Sequence, residues 1–473
     1  MRPMHPMHLS RPLRTLAMAL GAVALAACSS LMPPTQVPVA VAPQWQAPLP
    51  HQGTVSSLAQ WWEQQGDPLL AELIVAAQGV SPSVSQALSR IEASRAQQAL
   101  ANAALLPALS AQVSASRGVN QPAIPVATTL QAGVQATWEL DLVGANRAVN
   151  NAALAQLEGT RAQWHDARVS VAAEVANLYY SLSTCNQLLS VAKRDAASRQ
   201  ETARLADIST QAGFAAPSAL AMARASAADG NSRLTQQAAQ CDLDTKGLVA
   251  LTGMAEPNLR SKLAIAPANP AQAAPISIAS VPAQTIAQRP DVFAAERDVV
   301  VASAQVGSAK AQRYPRLSLN GSIGAMRYSS GGVDQDLSTW SFGPLALSLP
   351  LFDGGQRVAA VKSSEAAYQS AVVAYQGKVR QAVREVEEAL VNLSSTASRT
   401  GDAAIATQGY ADSLAATQTR YNQGLASLVE LEDARRNALA AESARLTLAL
   451  ERNRAWVSLY RALGGGFEPN TAP

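Results

Sequence analysis

The chain has 473 residues, of which 15% are charged and 4% aromatic, against about 25% charged in an ordinary globular protein. Four His and three Cys leave little material for a metal or redox enzyme, and beyond the first residues no apolar run approaches the ~18 residues of a membrane helix, which excludes a polytopic helical membrane protein. The formal net charge of +3 comes from Arg2, Arg11 and Arg14, so the rest of the chain is neutral and implies no nucleic acid partner. Abundant alanine and scarce aromatics suit long, closely packed helices rather than several thick cores.

Residues 1–27 read as a secretory signal: three arginines, then a twelve-residue apolar run over 16–27. The run ends Leu25-Ala26-Ala27 before Cys28, which resembles the lipobox of bacterial lipoproteins and makes Cys28 the expected site of a covalent lipid. The alternative is plain cleavage after Ala27 with Cys28 incidental. Ser29 at the second mature position favours, by the same resemblance, the outer membrane. Acyl chains contribute about 0.8 kcal/mol per buried methylene, enough for stable anchoring when several are attached. Residues 28–70 are then an N-terminal tether, rich in Pro, Ala and Val at its start.

The remainder is a tandem duplication. Pro82 matches Pro290 and Pro107 matches Pro315 at an offset of 208 residues; Gly213, Leu220 and Gly253 match Gly424, Leu431 and Gly464 at 211. The repeats span 71–253 and 289–464, joined by a Pro/Ala-rich linker over 254–288 and followed by a tail over 465–473. Each repeat reads as a helix of about 25 residues, two strands, and a long helical hairpin. In the first repeat Leu109, Ala111, Val113 and Ala115 alternate with polar residues, as do Leu130, Ala132, Val134, Ala136, Trp138 and Leu140. In the second, Leu317, Leu319, Ile323 and Ala325 alternate likewise, and a partner strand is expected over 340–349. Such two-faced strands separate two media, and their length, about 9–12 residues, is that of transmembrane β-strands. A soluble sheet with one wet face is the alternative.

The first arms of the hairpins are predicted over 146–208 and 356–421, about 90–100 Å at the α-helical rise. Val171, Val175, Leu178, Leu182, Cys185, Leu189 and Ala192 follow the 4-3-4-3 spacing of a coiled-coil seam. Turns fall at Gly213 and Gly424, and the return arms end near Leu251 and Leu463. Cys185 lies 28 residues before Gly213 and Cys241 lies 28 after it, so an antiparallel hairpin brings them face to face. In an oxidising periplasm this predicts a Cys185–Cys241 disulfide; two buried thiols are the alternative. The second repeat has Thr396 and Arg452 at these places.

This organisation resembles the outer membrane efflux protein family of TolC-like channels, in particular its NodT-type lipoprotein branch. The resemblance covers nearly the whole mature chain. It is carried by Trp61-Trp62 with Asp67-Pro68, by Trp138-Glu139-Leu140-Asp141-Leu142 with Gly144 and Arg147, by Arg289-Pro290-Asp291-Val292, by Leu349-Pro350-Leu351-Phe352-Asp353-Gly354-Gly355, and by Arg420-Tyr421 with Gly424 and Asp433-Ala434-Arg435. It implies an α+β membrane protein: a homotrimer whose twelve strands, four per chain, close one transmembrane β-barrel continued by a periplasmic helical barrel. It also implies a periplasmic adaptor protein and an inner membrane transporter as partners, with outer membrane lipid around the barrel.

The second hairpin tip carries Glu430, Glu432 and Asp433 where the first has Ala219, Ala221 and Met222, with Arg420, Arg435 and Arg436 nearby. In the resembling family, acids and bases past this tip close the pore, so Asp433, Glu430 and Arg436 are the candidate gate residues; a solvated helix face is the alternative. Gly213 and Gly424 mark the candidate adaptor-contact tips, where small residues permit close backbone approach. No nucleophile–base pair, metal cluster or phosphate loop is legible. His5 and His8 precede the cleavage site, and His51 and His165 lie far apart, with no carboxylate or cysteine at ligand spacing in the sequence. The expected function is a passive outer membrane duct of a tripartite pump exporting small molecules, with no cofactor beyond the lipid. A type I protein secretion duct and a periplasmic adaptor or structural lipoprotein without a pore are the alternatives, the latter disfavoured by the four amphipathic strands.

Overall fold

Prolines open the helices and glycines close them. In the computed structural model, which describes residues 31–39, 45–47, 61–64, 66–119, 126–265, 286 and 289–467, Pro68, Pro82, Pro217 and Pro290 each stand first in a helix, where the missing N–H is no loss. The elements in chain order are α1 (Trp61–Gln64), α2 (Pro68–Val80), α3 (Pro82–Ala103), β1 (Ala108–Gly118), β2 (Ala127–Leu140), α4 (Ala145–Gln211), α5 (Pro217–Thr252), α6 (Glu256–Ile265), α7 (Pro290–Ala311), β3 (Arg316–Ser330), β4 (Val333–Ser348), α8 (Gln356–Asn422) and α9 (Leu428–Ala462). The order helix, two strands, long helix, return helix occurs twice. Cys28 lies outside the described residues.

Several elements depart from the sequence expectation. The linker is not irregular throughout, because α6 opens it. Glu256 accepts hydrogen bonds from Lys246 and Arg260, and Leu259 is fully buried, which outweighs the compositional signal. Strand β4 begins seven residues earlier than Trp340, since Asp334 and Asp336 break the apolar alternation although their backbone pairs normally with β3. Helix α2, capped by the Asp67 carboxylate through the Leu69 and Leu70 amides, begins at Pro68, three residues before the predicted start of the first repeat. The N-terminal segment is not a free tether over 31–39: Ser303 donates to the Pro33 carbonyl at 2.6 Å and Tyr368 to the Pro34 carbonyl at 2.7 Å.

The described residues fall into two compact units. The first lies within 1–39, 89–160 and 294–377, the second within 40–88, 161–293 and 378–473. The first contains one antiparallel sheet in the order β1-β2-β3-β4 and a small cluster of Val299, Ala302, Val306 and Tyr368. The second contains the main core, in which Trp61, Leu70, Leu73, Val175, Tyr180, Leu248, Val386, Leu390 and Val457 are all almost wholly buried. Trp61 stacks on Tyr460 with centroids 5.0 Å apart.

The hairpin turns repeat one geometry. Gly213 and Gly424 take φ of +81° and +75°. Phe214 N donates to Ser209 O and Leu425 N to Arg420 O, each closing the Schellman pattern that ends a helix on a left-handed residue.

Candidate functional site

The sheet register sorts side chains by medium. Directly paired residues share a face, and Leu109–Ala136–Gly321–Phe342 and Ala111–Val134–Ile323–Trp340 form continuous rows across all four strands. Trp138–Leu319–Leu345 and Leu140–Leu317–Leu347 extend the same face. Trp340 and Phe342 remain 79% and 83% exposed, so nothing among the described residues covers this face. The opposite face carries Ser110–Gln135–Ser322–Ser341 and Ser116–Thr129–Tyr328–Gln335. A one-residue register shift in β4 at Gly343-Pro344 is what keeps Leu345 and Leu347 on the apolar side. Proline suits that position because a bulge leaves an amide without a ladder partner.

The tip of the second hairpin is tied by its own charges. Ser427 and Glu430 form a reciprocal capping box on α9: the Ser427 amide donates to Glu430 at 2.6 Å and the Glu430 amide to the Ser427 hydroxyl at 3.2 Å. Hydrogen bonds from the Ser427 amide and hydroxyl hold the Glu430 carboxyl below the usual range, so in the single chain it serves the helix end. Asp433 pairs with Arg436 one turn on, both about half-exposed. Arg435 binds Glu432 at 2.9 Å, Gln418 at 2.7 Å and the Ser198 hydroxyl at 3.0 Å. It thus joins α8, α9 and the first hairpin's α4, a link that chain spacing alone did not reveal. The residue that follows the glycine at each tip is apolar and exposed: Phe214 is 88% and Leu425 65% exposed.

The first hairpin is stapled. Cys185 and Cys241 are disulfide-bonded with Cα atoms 5.5 Å apart. Around them Leu178 packs into the space above Gly247, Ser181 donates to Asp244 at 2.9 Å, and Arg199 lies across Gly230 while binding Asp195 and Ser226. Closing a loop of 56 residues predicts that the Cys185→Ser, Cys241→Ser variant loses about 2–4 kcal/mol. Thermal unfolding with and without reductant checks this. A double variant as stable as the reduced wild type, yet no less stable than the oxidised one, would sink it.

A buried ion cluster sits among α4, α8, α9 and the start of the second repeat. Arg289 binds Asp291 through both oxygens at 2.9 Å, Glu385 at 2.7 Å and the Ala462 carbonyl at 2.9 Å. Neither composition nor spacing announces this; the sequence offers only Arg289 and Asp291 within one motif, and Glu385 standing 211 residues after Glu174, the offset of the repeat. Nearby Asp166 is pushed up by burial and by the charge of Asp291, against the pull of Arg461, Arg289 and Lys378. A carboxyl raised in the folded state binds more protons there than when unfolded. Its ionisation therefore costs stability as pH rises through the raised value. Asp166→Asn is expected to unfold at a higher temperature than wild type at pH 7, with the gap closing in acid. An equal or lower midpoint at pH 7 would refute that cause.

A sheet apolar over most of one face and mainly polar on the other, joined in one chain to two long helical hairpins, defines the class of outer membrane channels with a helical extension. The outer membrane efflux protein family matches residues 73–254 and 281–465, and the chain belongs to it. It is 32% identical over 484 residues to the outer membrane protein OprJ of Pseudomonas aeruginosa, covering 97% of each chain. It is 26% identical over 411 residues to nodulation protein T of Rhizobium leguminosarum bv. viciae, covering 87% of this chain and 85% of the relative. The open-state MtrE outer membrane channel of Neisseria gonorrhoeae superposes with a TM-score of 0.78 at 26% identity, over 93% of this chain and 99% of that one. The chain has the α+β fold of the trimeric outer membrane channels and is an outer membrane efflux component, reaching into the periplasm.

Proposed function

We propose that three copies of this chain close their strands, 3 × 4 = 12, into one barrel that serves as the passive exit duct of a tripartite pump for small molecules. The observation that carries this is the four-stranded sheet with an apolar face uncovered among the described residues, in which β1 and β4 each lack a second partner strand among those residues. In lipid such edges cost several kcal/mol per unsatisfied group, and closure removes them. A lipid on Cys28 anchors each chain. An inner membrane transporter supplies the energy and selects cargo, and a periplasmic adaptor meets the tips at Gly213 and Gly424, where Phe214 and Leu425 offer exposed apolar surface.

In this reading Asp433 and Arg436 belong to the tip gate, with Glu430 divided between gate and helix cap. Asp433→Ala is expected to raise single-channel conductance in planar bilayers; an unchanged conductance removes Asp433 from the gate. The function itself is tested by deleting the gene and restoring it, with growth measured against antibiotics, dyes, detergents and metal salts. Sensitisation reversed by the restored gene supports efflux. Loss of exported proteins with no sensitisation identifies a secretion duct instead.

A further inference from the structure

The strands carry six charged residues, and the register distributes them unevenly. Arg117, Arg327, Asp334 and Asp336 stand at the loop end, and pairing places all four on the apolar face. There Arg327 donates to Asp336 at 2.6 and 2.7 Å. Only Glu139 and Arg316 stand on the polar face, both at the helix end of their strands. Glu139 faces Ser318, two residues from Arg316, a diagonal that long side chains reach across. They are one acid and one base per chain.

Between that level and the loops, the polar face among the described residues is uncharged. It presents Ser110, Gln112, Ser114 and Ser116, then Thr129, Gln131, Gln135 and Thr137, then Asn320, Ser322, Met326 and Tyr328, with Gln335, Leu337, Thr339 and Ser341 on β4. The hydroxyls satisfy one another in part, Ser322 and Ser341 lying 2.8 Å apart. Gly133 and Gly324 face each other directly and leave bare backbone at mid-height. Neither the loop over 119–126 nor the turn over 330–333 contains a charged residue.

From this distribution we propose that the barrel section is blind to the charge of what passes: its lumen admits anionic, cationic and neutral solutes alike, by size, and any charge preference of the channel arises outside the strands. The inference rests on the reading that the polar face of the sheet lines the lumen. Rings of acidic or basic side chains are what confer charge selectivity on pores, by focusing a field of one sign on the permeating solute. Here the strands place such groups either outward or as one balanced pair. A wall of hydroxyl and amide groups wets the path and attracts neither sign.

The experiment uses the full-length channel with Gln131→Cys, and in parallel Ser114→Cys, its direct partner on β1. Both positions are exposed, so a small side chain there leaves packing intact. Anionic and cationic methanethiosulfonates of similar size are added from the extracellular side, and each rate is divided by that reagent's rate with a small thiol in solution. Corrected rates for the two signs are expected to agree within about threefold, since the unlike-charge bias of even one nearby carboxylate exceeds that. A larger preference for either sign at both positions overturns charge-blindness while leaving the lumen assignment intact. Failure of both reagents at both positions, in a channel that conducts, overturns the lumen assignment and this inference with it.

Discussion

Replacing Arg289 by methionine is expected to cost about 3–5 kcal/mol, the scale for removing one partner of a buried ion cluster. Arg289 is 5% exposed, and its guanidinium is shared among three acceptors that belong to different parts of the chain. Asp291 opens the second repeat, Glu385 lies on α8, and the Ala462 carbonyl is one of the last of α9, which has no partner inside its own helix. Methionine fills much of the volume and satisfies none of the three. Burial pushes Asp291 up, but the Arg289 hydrogen bond and charge, helped by Lys378, hold it below the usual carboxylate range. A depressed folded value means that the bond contributes fully above the ordinary carboxylate value of about 3.9 and is lost as pH falls through the depressed one. The gap in unfolding midpoint between wild type and Arg289→Met should therefore be wide at pH 7.5 and narrow in strong acid. Unfolding followed by circular dichroism in detergent measures both. A gap below about 1 kcal/mol at neutral pH, the scale of an exposed ion pair, would show that Arg289 is not a tie among these elements.

What could be seen in the sequence was whatever repeats or alternates. The duplication, the four strands and the hairpin turns are carried by periodic apolar residues and by paired prolines and glycines, and each of these acts locally on the backbone. Strand β4 was cut short because pairing with β3 needs only backbone groups, while Asp334 and Asp336 spoil the side-chain pattern by which strands are recognised. Helix α6 is hidden for a related reason: Glu256 and Leu259 stabilise it through contacts with Lys246, Arg260 and the core, whereas composition records only the prolines and alanines that follow. The tip charges were visible as residue types but not as partners. Arg435 reaching Ser198 crosses 237 positions, and Arg289 reaching Glu385 crosses 96; no periodicity encodes either. The cysteines were the exception, since a hairpin folded at a known glycine fixes which position on one arm meets which on the other.

Gly324→Ala is expected to disrupt the sheet outright, where Gly321→Ala, three residues away on the same strand, is tolerated. A Cβ on Gly324 would lie 2.6 Å from the Ala132 carbonyl oxygen and 3.0 Å from the Gly133 Cα. Both are backbone atoms of the paired strand and cannot rotate aside, so relief requires β2 and β3 to part along the ladder that joins the two repeats. The reverse change meets the same wall, since a Cβ on Gly133 would lie 2.9 Å from the Ile323 carbonyl oxygen. At Gly321 the nearest atom is the Ser341 carbonyl oxygen at 3.4 Å, a contact that a small shift absorbs. The expected cost at Gly324 is about 3 kcal/mol, the upper end for overpacking, and at Gly321 about 1 kcal/mol or less. Strand pairing between β2 and β3 precedes any closure between chains, so the loss should appear as a smaller fraction of heat-resistant oligomer on semi-native gels, at unchanged total protein. If Gly324→Ala assembles as fully as Gly321→Ala, the close approach of the two strands at mid-height is not a constraint on the barrel, and the paired glycines are there for the width of the lumen alone.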